Sequence, residues 1–411
     1  MGKAGGIFSR EIQIDVTPFV RAVRDDPLRT LLIVGVVLRL AAYLWNRSYW
    51  MDEGSLMGNI EGKAIFDFSA HLLGDQLAPP GFLIVERTLV RLLGSSGYVT
   101  RFVPLLCGIG SLWLLRSLAL RWFSGSVALV AMILFAFSDD LVYYSSEVKP
   151  YASDLLIALG LTRLASSMIG QVASGRKLAG FGLLAVASPW FSFPSVFIVA
   201  GCGMTILIDR AVRRERHSLG WLLGTAACWA VSSALAYRVS ASLLNPTTTM
   251  YVFWNFAFLP VPPASRADLV RLGGTFLEVL VNPLNLLPPV PPALGVVLPV
   301  VLLALGAFSL CRRDRDGFLI LSLPIALALV AAALRKFPFH GRLILELVPA
   351  LYLMIAEGTE WVRYWIGRTG YRVVLVVLLS YFCFTTVYEL TGARVREFNP
   401  HGDLHKNVFL E

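Results

Sequence analysis

Charge is scarce in this chain. Of its 411 residues 15% are Asp, Glu, Lys or Arg, while 56% are hydrophobic. A soluble globular domain carries roughly 25% charged residues. The deficit excludes a water-soluble enzyme, and the apolar excess excludes disorder. Cysteine is sparse as well. Cys107, Cys202, Cys228, Cys311 and Cys383 lie inside apolar runs, are odd in number and lack metal-ligand spacing. They read as buried small hydrophobes, which excludes a disulfide framework and a cysteine metal site. The five histidines, His71, His217, His340, His401 and His405, all fall outside the apolar runs. There is no internal repeat, heptad run or low-complexity segment. No cleavable signal is visible; the first apolar run, from near Leu28 behind a charged amphipathic stretch, reads as a retained anchor.

What the chain does have is apolar runs of about 18 to 22 residues, each long enough to cross a bilayer core of about 30 Å. The expectation is an all-α polytopic membrane protein with eleven spans, at 29–48, 101–121, 124–143, 151–169, 178–190, 193–209, 219–243, 293–311, 317–334, 343–358 and 372–390. The stretch 78–93 is apolar but carries Glu86, Arg87 and Arg91. A charge at mid-bilayer costs at least about 2.5 kcal/mol on insertion scales, so this stretch reads as a helix lying in the interface.

Net charge +9 does not signal nucleic acid, because the cations sit between apolar runs. With 78–93 in the interface and the N-terminus inside, every strongly basic loop falls on the cytoplasmic side: Arg116 and Arg121, Arg176 and Lys177, 209–217, 312–316, and Arg363, Arg368 and Arg372. The C-terminal tail, 391–411, is then extracytoplasmic. Two long loops face outward, at 49–100 and 244–292. The second includes an interfacial helix near 265–281 in which Ser265 caps and Asp268 stands in the first turn.

The outer face gathers the polar chemistry into short stretches. Trp50, Asp52 and Glu53 follow the first span; Gln76 precedes Pro79 and Pro80; Arg101 stands at the mouth of the second span. Glu147, Lys149, Tyr151 and Asp154 follow the third span, and Lys336, His340 and Arg342 lie between the ninth and tenth. An interfacial carboxylate can take a proton from an attacking hydroxyl. Cations at outer helix ends can bind a lipid phosphate and stabilise it as a leaving group. Aromatic loops can stack on a sugar, and Trp50 and Trp254 are candidates although both also suit a membrane belt. The set fits transfer of a sugar from a polyprenyl-phosphate carrier to a hydroxyl acceptor, with inversion.

The ordered set W-x-D-E, then a proline pair, then Arg at a helix mouth, then Y-S-x-E-x-K-x-Y resembles the GT-C glycosyltransferases, nearest in pattern to the protein O-mannosyltransferase and lipid A aminoarabinose transferase group. The resemblance covers about 28–200, leaving 201–390 as a variable transmembrane half within one membrane domain. It implies a GT-C-like fold in a bacterial inner membrane. It also implies catalytic roles for Asp52, Glu53 and Glu147, and donor-phosphate binding by Lys149, Arg101, Lys336, His340 and Arg342. Trp50, Gln76, Tyr151, Asp154 and Trp254 would line the substrate site. Partners would be a polyprenyl-phosphate sugar and a lipid, glycan or protein acceptor. The resemblance fixes no cofactor, and the acidic pair leaves a divalent cation open. Relatives carry His or Lys just before the proline pair where this chain has Ala78, with Gln76 in its place, and many carry a large soluble domain after the last span.

A lipid-linked sugar flippase would place ionisable residues in mid-span, whereas here they gather at one face. A polysaccharide polymerase differs in using a diphosphate-linked oligosaccharide donor. A membrane acyltransferase would need a histidine within a span.

Overall fold

The computed structural model describes residues 25–171, 174–215, 219–286 and 292–390. Among these residues there are helices and connecting turns but no strand. The tail 391–411, the segment before residue 25 and His217 lie outside them.

The bundle is centred on a short helix, Gly125–Ala136, in which nine of the twelve side chains are buried. Around it pack the first helix, Pro27–Trp45, the second long helix, Phe102–Trp122, and the C-terminal helix, Val348–Leu390. At about 1.5 Å per residue twelve residues reach roughly 18 Å, well short of a bilayer core. The hydrophobicity of 124–143 therefore reports burial inside protein, not contact with lipid. The run ends at Ser138, whose hydroxyl caps a second helix, Asp139–Tyr144.

Among the described residues, seven stretches are long and apolar enough to cross a membrane: Pro27–Trp45, Gly97–Trp122, Ser195–Arg213, Leu219–Ser242, Val296–Arg313, Arg315–Ala333 and Gly341–Tyr388. The last holds two of the expected spans, because the chain breaks at Gly367, whose φ of 69° only glycine adopts readily. Tyr151–Ser166 and Gly175–Ala187 stand where spans were expected but are shorter. Leu40, Leu44, Leu223, Val231, Val373 and Val376 turn outward from the long helices. With no other solvent to receive so much apolar surface, the chain is an integral membrane protein. Cys228, Cys311 and Cys383 are exposed and only Cys107 and Cys202 buried. This corrects the expectation for three of the five, and the reason is the same: an outward apolar position in this fold meets lipid.

One close crossing ties the Pro292–Arg313 helix to the C-terminal helix. A Cβ on Gly306 would lie 1.7 Å from the Met354 carbonyl, and one on Gly358 would lie 2.0 Å from the Leu302 carbonyl. Only hydrogen fits at either position, as in close helix contacts within membranes. Inside the bundle Arg39 does not snorkel. It is fully buried and donates to the carbonyls of Phe135 (3.3 Å) and Ala136 (3.4 Å), a cation at the end of a helix where the dipole is negative.

Helices are present at both positions read as interfacial. Pro80–Leu93 begins with Pro80 at its first position and buries Phe82, Leu83, Glu86 and Arg87. Arg87 reaches across the 49–100 loop to the carbonyls of Asn59 (3.2 Å) and Asp67 (2.9 Å). Arg266–Val281 is capped by Ser265 and Asp268 in a reciprocal capping box. The basic loops meet at the other end of the bundle. Arg210 donates to the Met168 carbonyl at 2.8 Å, Arg313 pairs with Glu357 at 3.1 Å, and Arg363 donates to Ser126 at 2.9 Å.

Candidate functional site

The first helix stops at Asn46, which adopts the left-handed conformation (φ 45°). The chain then runs extended to Trp50, where the Met51–Glu61 helix begins. Successive residues at that helix start point in different directions, which separates Asp52 from Glu53.

Glu53 points inward and is fully buried. Arg47 pairs with its Oε2 at 2.5 Å, and Arg101 with its Oε1 at 3.1 Å. The Val148 N–H donates to it at 3.0 Å and the Trp50 N–H at 3.4 Å. Burial alone would raise this carboxyl; Arg47 and Arg101 outweigh burial and hold it below the usual carboxylate range. Arg101 spends its remaining nitrogen on Asn46 Oδ1 and the Arg47 carbonyl, and its guanidinium lies over the Tyr49 ring. Glu53 and Arg101 thus fasten the N-terminal end of the second long helix to the 145–150 turn, and every Arg101 nitrogen is engaged.

Asp52 points the other way and keeps 21% of its side chain exposed. Arg342 Nη2 meets its Oδ2 at 2.6 Å. Lys149 Nζ stands 4.0 Å from the same oxygen, and Gln76 Nε2 donates to Oδ1 at 3.4 Å. Lys149 in turn donates to Gln76 Oε1. Burial works to raise the Asp52 carboxyl, but Lys149 and Arg342 prevail and hold it low. The Lys149 ammonium is lowered, chiefly by burial, with Asp52 opposing.

Arg342 arrives from 290 residues along the chain. It sits in the Gly341–Leu347 turn, a 3-10 segment distorted at Ile344, which packs against the Tyr151–Ser166 helix. Its guanidinium lies over Trp50 (5.0 Å) and Tyr151 (5.7 Å). Trp50 is buried and donates its indole N–H to Glu147 Oε1 at 2.8 Å; that fixes it in the site and not in a lipid belt. Glu147 is fully buried. Burial and the neighbouring Glu53 charge push its carboxyl up to about 7, against Arg342, Arg47 and Lys149.

One constellation therefore unites Trp50, Asp52, Glu53, Gln76, Arg101, Glu147, Lys149, Tyr151 and Arg342. The other expected residues stand apart. Asp154 is buried one helical turn beyond Tyr151, toward the bundle interior. His340 packs on Phe256 (ring centroids 4.9 Å) and Trp254 (6.2 Å), in an aromatic cluster of the 244–292 loop. Lys336 is exposed, and it is Arg335 that reaches that loop, donating to Asn255 at 2.5 Å. Arg47 escaped the sequence reading. Its signal was its place: a cation just past the first span, six residues before Glu53.

Among the described residues, no three His, Cys, Asp or Glu side chains converge as a metal site. Asp52, Glu53 and Glu147 already face guanidinium, ammonium or indole donors. The cluster can bind a phosphate through Arg342 and Lys149 and can accept a proton at Asp52.

No family model and no curated protein sequence matches the chain. Solved structures do. ArnT from Cupriavidus metallidurans bound to undecaprenyl phosphate superposes with TM-score 0.54 at 14% identity, covering 93% of this chain and 72% of that one. The apo form of ArnT gives 0.51 at 14% identity, over 90% and 72%. The archaeal oligosaccharyltransferase AglB from Archaeoglobus fulgidus, in complex with an inhibitory peptide and a dolichol-phosphate, gives 0.50 at 12% identity. It is matched over 90% of this chain but 56% of its own length, so the chain spans little more than half of that protein. The chain shares its helical fold with these structures.

Proposed function

We propose that this protein is a GT-C-type glycosyltransferase. It moves a single hexose or pentose from a polyprenyl-phosphate carrier to a hydroxyl of a lipid, glycan or protein acceptor, with inversion. The reaction takes place at the extracytoplasmic face of a bacterial inner membrane, with the N-terminus cytoplasmic. The observation that carries the reading is the Asp52–Arg342 ion pair with Lys149 and Gln76 around the same carboxylate. ArnT and AglB, which share the fold, were solved with a polyprenyl phosphate or dolichol-phosphate bound.

The roles follow from the charges. Arg342 and Lys149 take the donor phosphate. When the phosphate binds, Arg342 exchanges part of its contact with Asp52 for phosphate oxygens. The freed Asp52 carboxylate becomes a stronger base and receives the proton of the attacking hydroxyl. The hydroxyl oxygen bonds to the anomeric carbon as the bond from that carbon to the phosphate oxygen breaks, and polyprenyl phosphate leaves onto the two cations. Glu53 and Arg101 act at one remove, by fixing the helix start from which Asp52 projects.

The test is reconstitution of the full chain in proteoliposomes with polyprenyl-phosphate sugars, alongside mass spectrometry of lipid-linked sugars in cells with and without the gene. Release of polyprenyl phosphate with a new glycosidic bond supports the reading. Translocation of the lipid-linked sugar without bond formation overturns it.

A further inference from the structure

Toward the middle of the bundle, behind the Arg342 turn, lies a cavity of about 20 Å³ (the space open to the centre of a water molecule). Five elements meet there: Phe102–Trp122, Tyr151–Ser166, Ser195–Arg213, Arg315–Ala333 and the Gly341–Leu347 turn with the helix that follows it. Most of the wall is apolar, including Leu159, Ile198, Leu321 and Leu347, but Glu346 and Thr162 also line it. Glu346 is 3% exposed, and its Oε1 has no hydrogen-bond partner in the protein. The charged group that faces it is Asp154, also a carboxyl and also with an oxygen (Oδ1) lacking a partner. The Thr162 hydroxyl has Cys202 Sγ at 4.0 Å, a weak contact.

A third polar group comes from the backbone. Pro324 stands inside the Arg315–Ala333 helix and lines the cavity together with Ile320. Proline has no N–H, so the Ile320 carbonyl loses its helical donor. A buried acceptor left unmatched costs about 1–3 kcal/mol. A cavity holds a water molecule when it offers about 10–15 Å³ by this measure and two to four polar partners. Both conditions are met here, and the apolar remainder of the wall leaves too few oxygens to shell a metal ion.

We propose that this cavity is an internal water site in which a water molecule donates to Glu346 Oε1 and to the Ile320 carbonyl and accepts from the Thr162 hydroxyl. Glu346 is four residues beyond Arg342 in the same turn. The water therefore packs behind the segment that brings Arg342 to Asp52. The site stands whether or not the protein transfers sugar.

Radiolytic hydroxyl footprinting of the full chain in lipid nanodiscs reads it directly, because an ordered internal water generates oxidant beside buried side chains. Leu159 and Leu347 are expected to oxidise within about tenfold of the exposed Leu73. Glu346→Gln, which keeps an acceptor, should retain that rate within about twofold, and Glu346→Leu should lower it at least about fivefold. Thr162→Val carries the same test with a milder loss if Glu346→Leu does not fold. Unoxidised Leu159 and Leu347 in the native chain would overturn the proposal. So would unchanged oxidation in both the Glu346→Leu and Thr162→Val variants, or oxidation that requires sodium in place of choline.

Discussion

Asp52 and Glu53 are neighbours in sequence with opposite duties. Glu53 is a buried anion held by two guanidinium groups, and removing it leaves Arg47 and Arg101 uncompensated. Glu53→Ala should cost about 3–5 kcal/mol, read as a loss of thermal stability with or without donor. Asp52 keeps 21% of its side chain exposed, so replacing it, which leaves Arg342 and Lys149 without their carboxylate, should lower the thermal transition less than Glu53→Ala does. Arg342→Ala, measured as donor affinity, should weaken binding by about 10–150-fold, the range for a lost charge-assisted contact of about 1.5–3 kcal/mol. Glu147 predicts a pH dependence. Its carboxyl is raised to about 7, so it is neutral below that pH and gains a negative charge beside the donor phosphate above it. Donor KM should therefore rise as pH climbs through about 7 in the native protein and stay flat in Glu147→Gln. A flat native profile contradicts the assignment. Asp52 titrates the other way: held low by Lys149 and Arg342, it stays ionised through the ordinary carboxylate range. Trp50, Asp52, Gln76, Glu147, Lys149 and Arg342 were legible in the sequence because each stands in a short polar stretch beside an apolar run. That Arg101 bonds a carboxylate and not a ligand was not legible, since an arginine at a helix mouth looks the same in either role.

Among the elements, the interfacial helix Pro80–Leu93 was legible from its charges. Its docking was not. A Cβ on Gly81 would lie 2.7 Å from the Trp190 carbonyl and 2.9 Å from the Phe191 ring, a contact between segments far apart in the chain. The central helix Gly125–Ala136 was misread as part of a longer span because buried and lipid-facing apolar residues share one composition. The break at Ser138 could have been read from the sequence, since a serine before two aspartates is an N-cap signal. The crossing at Gly306 and Gly358 gives an element-scale prediction. Either glycine replaced by alanine meets backbone that cannot move aside, and should cost about 1–3 kcal/mol. The expected readout is a lower thermal transition in detergent with unchanged donor affinity below it. An unshifted transition would contradict the crossing.

On the scale of the whole molecule, the arrangement of the basic loops is the feature the sequence made legible. Loops assigned to one side by their arginines are in fact neighbours at one end of the bundle, and the Asp52 cluster occupies the other. In a cysteine-free background, an impermeant thiol reagent applied from the extracytoplasmic side should label Ser69→Cys and not Gly175→Cys; the reverse would invert the orientation. What sequence could not supply was the meeting of the two halves. Most of the cluster comes from the first 154 residues, yet Arg342 closes it from a turn whose path depends on packing against Tyr151–Ser166. In the proposed reaction Asp52 activates the acceptor of a donor gripped by Arg342 and Lys149. Single-turnover transfer by Asp52→Asn protein preloaded with polyprenyl-phosphate sugar measures that step alone. Donor should bind as in the native protein while transfer slows by about 10²–10⁴-fold; transfer at the native rate would exclude Asp52 as the base.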